Sequence, residues 1–258
     1  MGEVLLQLEH ISKTFFPNTP QERKSLIDVN LTLNKGDFAV IVGGNGAGKS
    51  TLMNVIAGKL QADQGKIKVA GKDVSRLKEF ERAKLMSRVH QDPALGTAPR
   101  MTMAQNMAIA HKRGQERGLR ASVKEEDLPI YKERLKELGL GLEERLSVPM
   151  EHLSGGQRQA VALVMATLAK SDLLLLDEHT AALDPPTQRL VMTLTDRLVK
   201  RHQLTTLMIT HSLSDAVSYG NRLFVLSQGK LIRHFSEEEK AKLTVDDLFH
   251  ILEKGDGE

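Results

Sequence analysis

One glycine-rich segment restricts the fold of this chain more than any other feature of its 258 residues. The segment matches the pattern G-x-x-x-x-G-K-[ST] and reads Gly43, Gly44, Asn45, Gly46, Ala47, Gly48, Lys49, Ser50 and Thr51. The apolar run before it, Phe38–Val42, predicts a strand buried on both faces of a parallel sheet. The residues that end it and follow it, Lys49–Leu60, predict a helix. A tight turn between a buried strand and a helix is typical of α/β proteins.

This segment has the composition of a phosphate-binding loop. Glycines let backbone N–H groups curve around phosphate oxygens without a clash from Cβ, and the following helix directs its positive end at the same anion. Lys49 would reach the β- and γ-phosphates, and the hydroxyl of Ser50 would bind Mg²⁺. The alternative is a glycine-rich turn with a structural role alone, but the elements on both sides fit the motif. The segment therefore predicts a site for a nucleoside triphosphate.

A second motif combines an apolar strand with two carboxylates. Leu173–Leu176 predicts a buried strand, and Asp177 and Glu178 follow at its carboxyl end, where α/β sheets bind their ligands. Asp177 would hold Mg²⁺ directly or through water, and Glu178 would polarise the water that attacks the γ-phosphate. Two carboxylates after a strand are also common in surface turns. Together with the phosphate-binding loop, however, they predict hydrolysis of the nucleotide.

Predicted strands and helices alternate along most of the remaining chain, which favours a parallel-sheet α/β core. A stretch rich in Lys, Glu and Arg, about Pro99–Pro149, predicts a helical insertion in that core. Capping-box spacing from Ser236 to Glu239 predicts a helical tail. The other predicted strands are Val4–Ile11, Leu26–Leu33, Ile67–Val69, Thr205–Ile209 and the hairpin of Arg222–Leu226 with Lys230–Ile232. The other predicted helices are Gly156–Lys170, Pro186–Arg201 and Leu213–Tyr219.

The composition excludes several classes of protein. Without cysteine, the chain has no disulfide framework, no thiolate metal site and no cysteine nucleophile. Uncharged stretches such as Phe38–Gly48 and Gln159–Ala169 are much shorter than the ~20 apolar residues that span a bilayer. A net charge of +3, with seven Phe, two Tyr and no Trp, gives little support for nucleic-acid binding. These features predict a soluble, cytoplasmic protein.

A third motif lies about a hundred residues after the phosphate-binding loop and just before the predicted strand Leu173–Leu176. It reads Leu153, Ser154, Gly155, Gly156 and Gln157. Ser154 and the glycines also suit a plain helix-capping turn, but that explanation does not account for five specified residues between the two other motifs. With this pentapeptide as its signature, the chain resembles the ATP-binding cassette family from Val4 to about Ile232.

The resemblance implies a fold. It implies a P-loop NTPase with a RecA-like parallel sheet core and an antiparallel β subdomain. A helical subdomain would be inserted at about residues 92–158. Residues 1–235 would form the ATPase domain, and residues 236–258 a short C-terminal helical tail.

The resemblance also implies roles for single residues, with ATP and Mg²⁺ as cofactors. Gln91 occupies the position of the family's glutamine that contacts Mg²⁺ and leads into the helical subdomain. His211 corresponds to the histidine that contacts the γ-phosphate and orders Glu178. Lys49, Glu178 and His211 would therefore carry catalysis. Phe15, with Phe16 as the alternative, resembles the aromatic residue that stacks on adenine.

Two positions depart from the common pattern of the family. His179 follows Glu178 where the family often has proline, and Gly44 replaces another frequent proline in the phosphate-binding loop. Neither position supplies a group that the chemistry needs. The resemblance therefore implies an active ATPase.

In this family, the signature of one subunit faces the phosphate-binding loop of the other. The signature residues 154–157, at a helix N-terminus, would clamp the γ-phosphate bound to the partner. Leu183 and Asp184 match the family's segment along the dimer seam. Since one chain holds one loop and one signature, a complete site requires a dimer with two ATP molecules sandwiched head to tail. We expect a homodimer, and a heterodimer with a second cassette is the alternative.

Three functions within the family compete. A cassette without a fused membrane segment is typical of importers. In an importer, the cassette would lie at the inner face of the membrane. Its partners would be separate transmembrane permease subunits and an extracytoplasmic solute-binding protein. The alternative is the ATPase of a soluble assembly complex, such as iron–sulfur cluster assembly. Ribosome- and chromosome-associated members are disfavoured, because the chain has neither a second cassette nor a long coiled coil. Residues 11–20 and 177–185 resemble ATPases of aromatic amino-acid uptake.

Overall fold

The computed structural model describes residues 2–115 and 123–255. The predicted insertion and the predicted tail extend beyond the described residues, at positions 116–122 and 256–258. The strands are β1 (Val4–Phe15), β2 (Arg23–Asn34), β3 (Phe38–Val42), β4 (Gln64–Val69), β5 (Lys72–Asp73), β6 (Met86–Val89), β7 (Leu173–Asp177), β8 (Thr205–Ile209), β9 (Arg222–Ser227) and β10 (Lys230–Phe235). The helices are α1 (Lys49–Ala57), α2 (Glu79–Arg82), α3 (Met103–His111), α4 (Leu128–Lys136), α5 (Gly155–Leu168), α6 (Pro185–Arg201), α7 (Leu213–Ser218), α8 (Glu237–Lys240) and α9 (Val245–Gly255).

A six-stranded sheet lies at the centre of the molecule, in the order β10-β9-β3-β8-β7-β6. Neighbouring strands from β9 to β6 run parallel, and β10 pairs antiparallel with β9 at one edge. Every residue of β3 is buried, as its apolar sequence predicts. Val40 and Val42 join the apolar cluster of α5, whereas Ala39 and Ile41 join that of α1. The predicted parallel α/β core is confirmed.

A separate antiparallel sheet, in the order β2-β1-β4-β5, packs against α1. Both β1 and β2 are longer than predicted, because their pairing continues through register shifts. His10 and Asp28 lie at these irregularities with φ angles of 54° and 52°. Leu6 and Val29 are buried in the same apolar cluster as Leu52 of α1. This sheet corresponds to the antiparallel β part that the resemblance implies.

Within the predicted insertion, residues 99–149, the described chain forms α3, α4 and two short 3-10 helices, so its predicted helical character is confirmed. Helix α5 packs against α3, α4 and α6, and Met107, Tyr131 and Leu163 are buried in this region. The preceding strand β6 was not predicted. It has four residues, too few to show a periodic pattern, and one of them is Arg88.

Helix α1 ends at Ala57, so the predicted end at Leu60 is wrong. Gly58 takes a left-handed conformation with φ 82°, and its N–H donates to the carbonyl oxygens of Asn54 and Val55. The predicted helical tail is present as α8 and α9, and Ser236 caps α8. In the described part of the chain, no helix combines the length and apolarity required to span a membrane.

Candidate functional site

The glycine-rich loop follows β3 in a conformation that several of its glycines require. Gly46 and Gly48 have φ angles of 80° and 105°, which side chains with a Cβ rarely adopt. At Gly43, a Cβ would lie 2.1 Å from the carbonyl oxygen of Leu226. At Gly48, a Cβ would lie 2.4 Å from the carbonyl oxygen of Ser25. The loop is therefore pressed closely against neighbouring backbone, and α1 begins directly after it.

Lys49, the first residue of α1, is 7% exposed and folds back toward the loop. Its Nζ donates to the carbonyl oxygens of Gly43 at 2.8 Å and Gly44 at 3.0 Å. Ser50 is exposed, whereas Thr51 is buried and its Oγ1 accepts a hydrogen bond of 2.8 Å from Ser25. The ammonium group is thus held within the predicted phosphate-binding loop, and the next residue, Ser50, is accessible to solvent.

The carboxyl ends of four adjacent strands bring the other predicted residues to the same edge of the sheet. In the order β3-β8-β7-β6, these strands are parallel neighbours, so their carboxyl ends coincide. The glycine-rich loop follows β3, His211 follows β8, Asp177 ends β7 and Gln91 follows β6. This edge is where open α/β sheets bind ligands.

Glu178 leaves β7 in a left-handed conformation with φ 44°. Its backbone N–H donates to the carbonyl oxygen of Ile209 at 3.0 Å, which ties it to the end of β8. Its Oε2 lies 3.6 Å from Nδ1 of His211, and the two side chains are 21% and 57% exposed. A partly exposed carboxylate beside an imidazole can accept a proton from a water molecule and orient that water.

Arg88 is a polar residue of this edge that the sequence analysis missed. Its Nη2 donates to Oδ2 of Asp177 at 2.5 Å, and its Nη1 donates to Oδ1 of Asn54 at 2.9 Å. The side chains of Arg88 and Asp177 are 11% and 15% exposed. An arginine three residues before Gln91, between Ser87 and Val89, was the available signal in the sequence.

His179 is another polar residue without an assigned role in the sequence analysis. It is 2% exposed, and its Nε2 lies 3.0 Å from Oγ1 of Thr195 in α6. The Thr195 hydroxyl donates to the carbonyl oxygen of Val191, so His179 Nε2 is the donor. Complete burial lowers the pKa of His179 to about 4, so the imidazole is neutral. His179 therefore anchors the residue after Glu178 to α6.

The pentapeptide signature lies at the N-terminus of α5, on an element separate from the sheet edge. The Oγ of Ser154 accepts from the N–H of Gln157 at 3.3 Å, and Oε1 of Gln157 accepts from the N–H of Ser154 at 3.2 Å. This reciprocal cap leaves Ser154 and Gly155 exposed. A Cβ at Gly156 would lie 2.1 Å from Cγ2 of Thr187, so this glycine permits close packing against α6.

The predicted metal ligands suit magnesium by their chemistry. Ser50, Gln91 and Asp177 offer a hydroxyl, an amide and a carboxylate oxygen, the hard donors that Mg²⁺ prefers. Over residues 2–115 and 123–255, no cluster of three or more His, Asp or Glu side chains forms a metal cage. A magnesium ion that binds together with nucleotide phosphates needs only one or two carboxylates. The donor set therefore fits that ion.

The two candidate aromatic residues lie at the end of β1. Phe15 is the last residue of the strand and is partly buried, with Nζ of Lys13 5.9 Å from its ring centroid. Phe16 follows with φ 50° and is 62% exposed. Both rings are accessible at this end of the strand, and Phe15 remains the predicted adenine contact.

Comparisons with known proteins agree on one family. The family model described as "ABC transporter" matches residues 26–181. The chain is 39% identical to a tyrosine transport ATP-binding protein of Clostridioides difficile, over 96% of this chain and 99% of that protein. It is 30% identical to the phosphonates import ATP-binding protein PhnC of Lactococcus lactis, over 95% and 98%. The dimeric post-hydrolysis structure of an ATP-binding cassette with ADP and Pi superimposes with a TM-score of 0.76, 26% identity, and coverage of 90% of this chain and 99% of that one.

Proposed function

Because the chain belongs to the ABC transporter family and is one of its ATPase cassettes, we propose that it powers the uptake of a small solute by a membrane transporter. The main support for the proposal is that the phosphate-binding loop, Asp177, Glu178 and His211 all lie at one edge of the central sheet, at the carboxyl ends of adjacent parallel strands. We retain transport over a soluble assembly complex because the relatives reported above are named for transport. The tyrosine transport relative supports an aromatic amino acid as the solute.

In the proposed reaction, each group at the edge has one task. Lys49 offsets the negative charge of the phosphates, and the loop carbonyl groups keep its ammonium in place. Ser50, Asp177 and Gln91 would hold Mg²⁺, which supplies charge neutralisation at the phosphate oxygens when bound. Glu178 accepts the proton of the attacking water, and His211 orients the Glu178 carboxylate.

We propose that the second half of each site comes from a partner subunit. Ser154 and Gly155 are exposed at the N-terminus of α5, where backbone N–H groups and the helix dipole favour an anion. This end of α5 would clamp the γ-phosphate of ATP bound to the other chain. Loss of the γ-phosphate then removes the contacts that favour the closed dimer, so hydrolysis opens it. A dimeric cassette structure among the neighbours supports this arrangement.

We also propose that a permease subunit docks beside Gln91, in the region 92–106. A cavity of about 250 Å³ lies there between the end of β6 and helices α3 and α5, lined in part by His90, Pro93, Ile109 and Met165. Leu95 and Met101 nearby are 70% and 43% exposed, so the region presents apolar surface. Apolar surface next to Gln91 suits a short permease helix, which would link the nucleotide state to the pore. An extracytoplasmic solute-binding protein would deliver the solute, and the cassette would lie at the cytoplasmic face.

Uptake measurements test this function directly. In cells that lack the chain, we expect the wild type to restore ATP-dependent uptake of labelled tyrosine. The variant Glu178→Gln should fail to restore it, whereas Glu133→Gln, on the exposed face of α4, should restore it. Uptake that persists without the chain, or that Glu178→Gln restores fully, would contradict the proposed function.

A further inference from the structure

Arg88 and Asp177 come from neighbouring strands and lie on the same face of the central sheet. The parallel register places Arg88 opposite Leu175, so these two side chains share one face. Asp177 is two residues beyond Leu175 and lies on that face as well. Helix α1 covers this face, which explains why both charged side chains are mostly buried. The charge pair is therefore a product of strand register.

The guanidinium of Arg88 connects two parts of the proposed nucleotide site. Nη2 bonds to Asp177, and Nη1 bonds to Asn54 of α1, the helix that begins at Lys49 and Ser50. Nε is buried and has no hydrogen-bond partner within residues 2–115 and 123–255. Both of the hydrogen bonds found for Arg88 thus go to elements that carry the phosphate loop or the metal ligand.

The position of this guanidinium creates a conflict with a metal ion at Asp177. One carboxylate oxygen of Asp177 is already engaged at 2.5 Å by a permanent cation. A divalent cation at the same carboxylate would be repelled by the guanidinium, and the low exposure of the pair limits screening by water. The negative phosphates of ATP can offset this repulsion, because they bring several charges to the same edge.

We propose that Arg88 is a positioning residue that competes with Mg²⁺ for Asp177, so that the metal enters the site only together with ATP. This inference rests on the metal role proposed above for Asp177. Without nucleotide, Arg88 compensates the buried charge of Asp177 and keeps the carboxylate in place beside α1. When nucleotide is bound, its phosphates offset the repulsion by Arg88, so that Mg²⁺ can bind at Asp177. Arg88 then sets the Mg²⁺ concentration at which the metal binds.

Metal binding without nucleotide gives the first test. The probe is Mn²⁺, followed by electron paramagnetic resonance, with the wild type, Arg88→Met and Arg88→Lys. We expect Arg88→Met to bind Mn²⁺ at least tenfold more tightly than the wild type, the order of effect that outer-shell partners exert on metal sites. Arg88→Lys keeps the positive charge but cannot make the hydrogen bonds to Asp177 and Asn54 at the same time. Its Mn²⁺ affinity should therefore lie between those of the wild type and Arg88→Met. Arg113→Met is the matched control, because Arg113 is also partly buried but donates to the carbonyl oxygens of Ala166 and Ala169.

The Mg²⁺ dependence of binding to a fluorescent ATP analogue gives the second test. We expect the Mg²⁺ concentration for half-maximal binding to fall in Arg88→Met and to stay unchanged in Arg113→Met. If the Mg²⁺ concentration for half-maximal binding is unchanged or higher in Arg88→Met, the proposed competition between Arg88 and Mg²⁺ is wrong, but the proposed metal role of Asp177 is not affected. If Asp177→Asn leaves the Mg²⁺ requirement unchanged, the metal role of Asp177 fails, and this inference fails with it.

A double-mutant cycle in EDTA tests the pair without metal or nucleotide. Arg88→Met and Asp177→Asn should each lower the Tm, because each leaves a partner unpaired. The Tm of the double variant should fall by clearly less than the sum of the two decreases in Tm of the single variants. Additive shifts would show that the two side chains do not interact, which overturns the proposal even if the variants fold normally.

Discussion

Oε2 of Glu178 lies 3.6 Å from Nδ1 of His211, at the carboxyl ends of two adjacent parallel strands. The relationship is set by the backbone as well as by the side chains. The N–H of Glu178 bonds to the carbonyl oxygen of Ile209, two residues before His211, and the left-handed backbone of Glu178 turns the chain out of β7. The proposed base and its orienting group are therefore placed together by strand pairing.

The first prediction concerns Glu178→Gln. The amide is nearly the same size as the carboxylate but cannot accept the proton of the attacking water. We expect ATP to remain bound while hydrolysis falls by about 10²–10⁴. Phosphate release at saturating ATP measures the rate, with Glu133→Gln as the exposed control. A wild-type rate in Glu178→Gln would remove the proposed role of Glu178.

The second prediction concerns the dimer. Since Glu178→Gln retains ATP, it should elute as a dimer in size-exclusion chromatography with ATP and as a monomer with ADP. Adding Ser154→Arg should restore the monomer, because a long side chain would fill the space at the exposed cap where we propose that the partner's γ-phosphate binds. Adding Thr193→Arg, at an exposed position in the middle of α6, should leave the dimer intact. A dimer that tolerates Ser154→Arg would contradict the clamp proposed for α5.

The third prediction concerns Lys49→Ala. Hydrogen bonds to charged groups contribute about 1.5–3 kcal/mol each, so loss of the ammonium should weaken ATP binding by roughly ten- to a hundredfold. Hydrolysis should be nearly abolished, because the charge on the phosphates is no longer offset. Calorimetric titration with ATP measures the affinity, and Lys59→Ala, an exposed lysine just beyond α1, is the control. Undiminished turnover would show that residues 43–51 do not bind the phosphates.

The fourth prediction concerns pH and His179. Burial lowers the pKa of His179 to about 4, below the ordinary value of 6.5 that applies to the unfolded chain. Between these two pH values the unfolded state binds the proton and the folded state does not, so stability falls as the pH decreases from 6.5 to 4. The contribution lost in this window is about 3 kcal/mol at most.

His179→Gln isolates that contribution. The glutamine amide can still donate to Thr195 but does not titrate. We expect the Tm of His179→Gln to fall less than that of the wild type between pH 7 and pH 4.5. Parallel pH dependence in both proteins would assign the acid sensitivity to other groups.

Several elements were predictable because local residues determine them. Strands β3 and β8 match the predicted bounds in full, since each is a short run of apolar and β-branched residues that is buried on both faces. By contrast, β6 went unpredicted, because it is short and one of its four residues is charged. The end of α1 was placed too late, because the effect of Gly58 depends on the left-handed turn that it adopts.

The sequence by itself determined the phosphate-binding loop, the two carboxylates at the end of β7 and the capped start of α5. Each of these is a contiguous motif whose glycines, apolar residues and caps act on their immediate neighbours. Only the tertiary structure decided that Arg88 pairs with Asp177 and that His179 donates to Thr195. These contacts join residues far apart in the chain, and they depend on strand order, strand register and the helix that covers each face. Local patterns carry no information about which buried partner a charged or polar side chain will meet across a sheet.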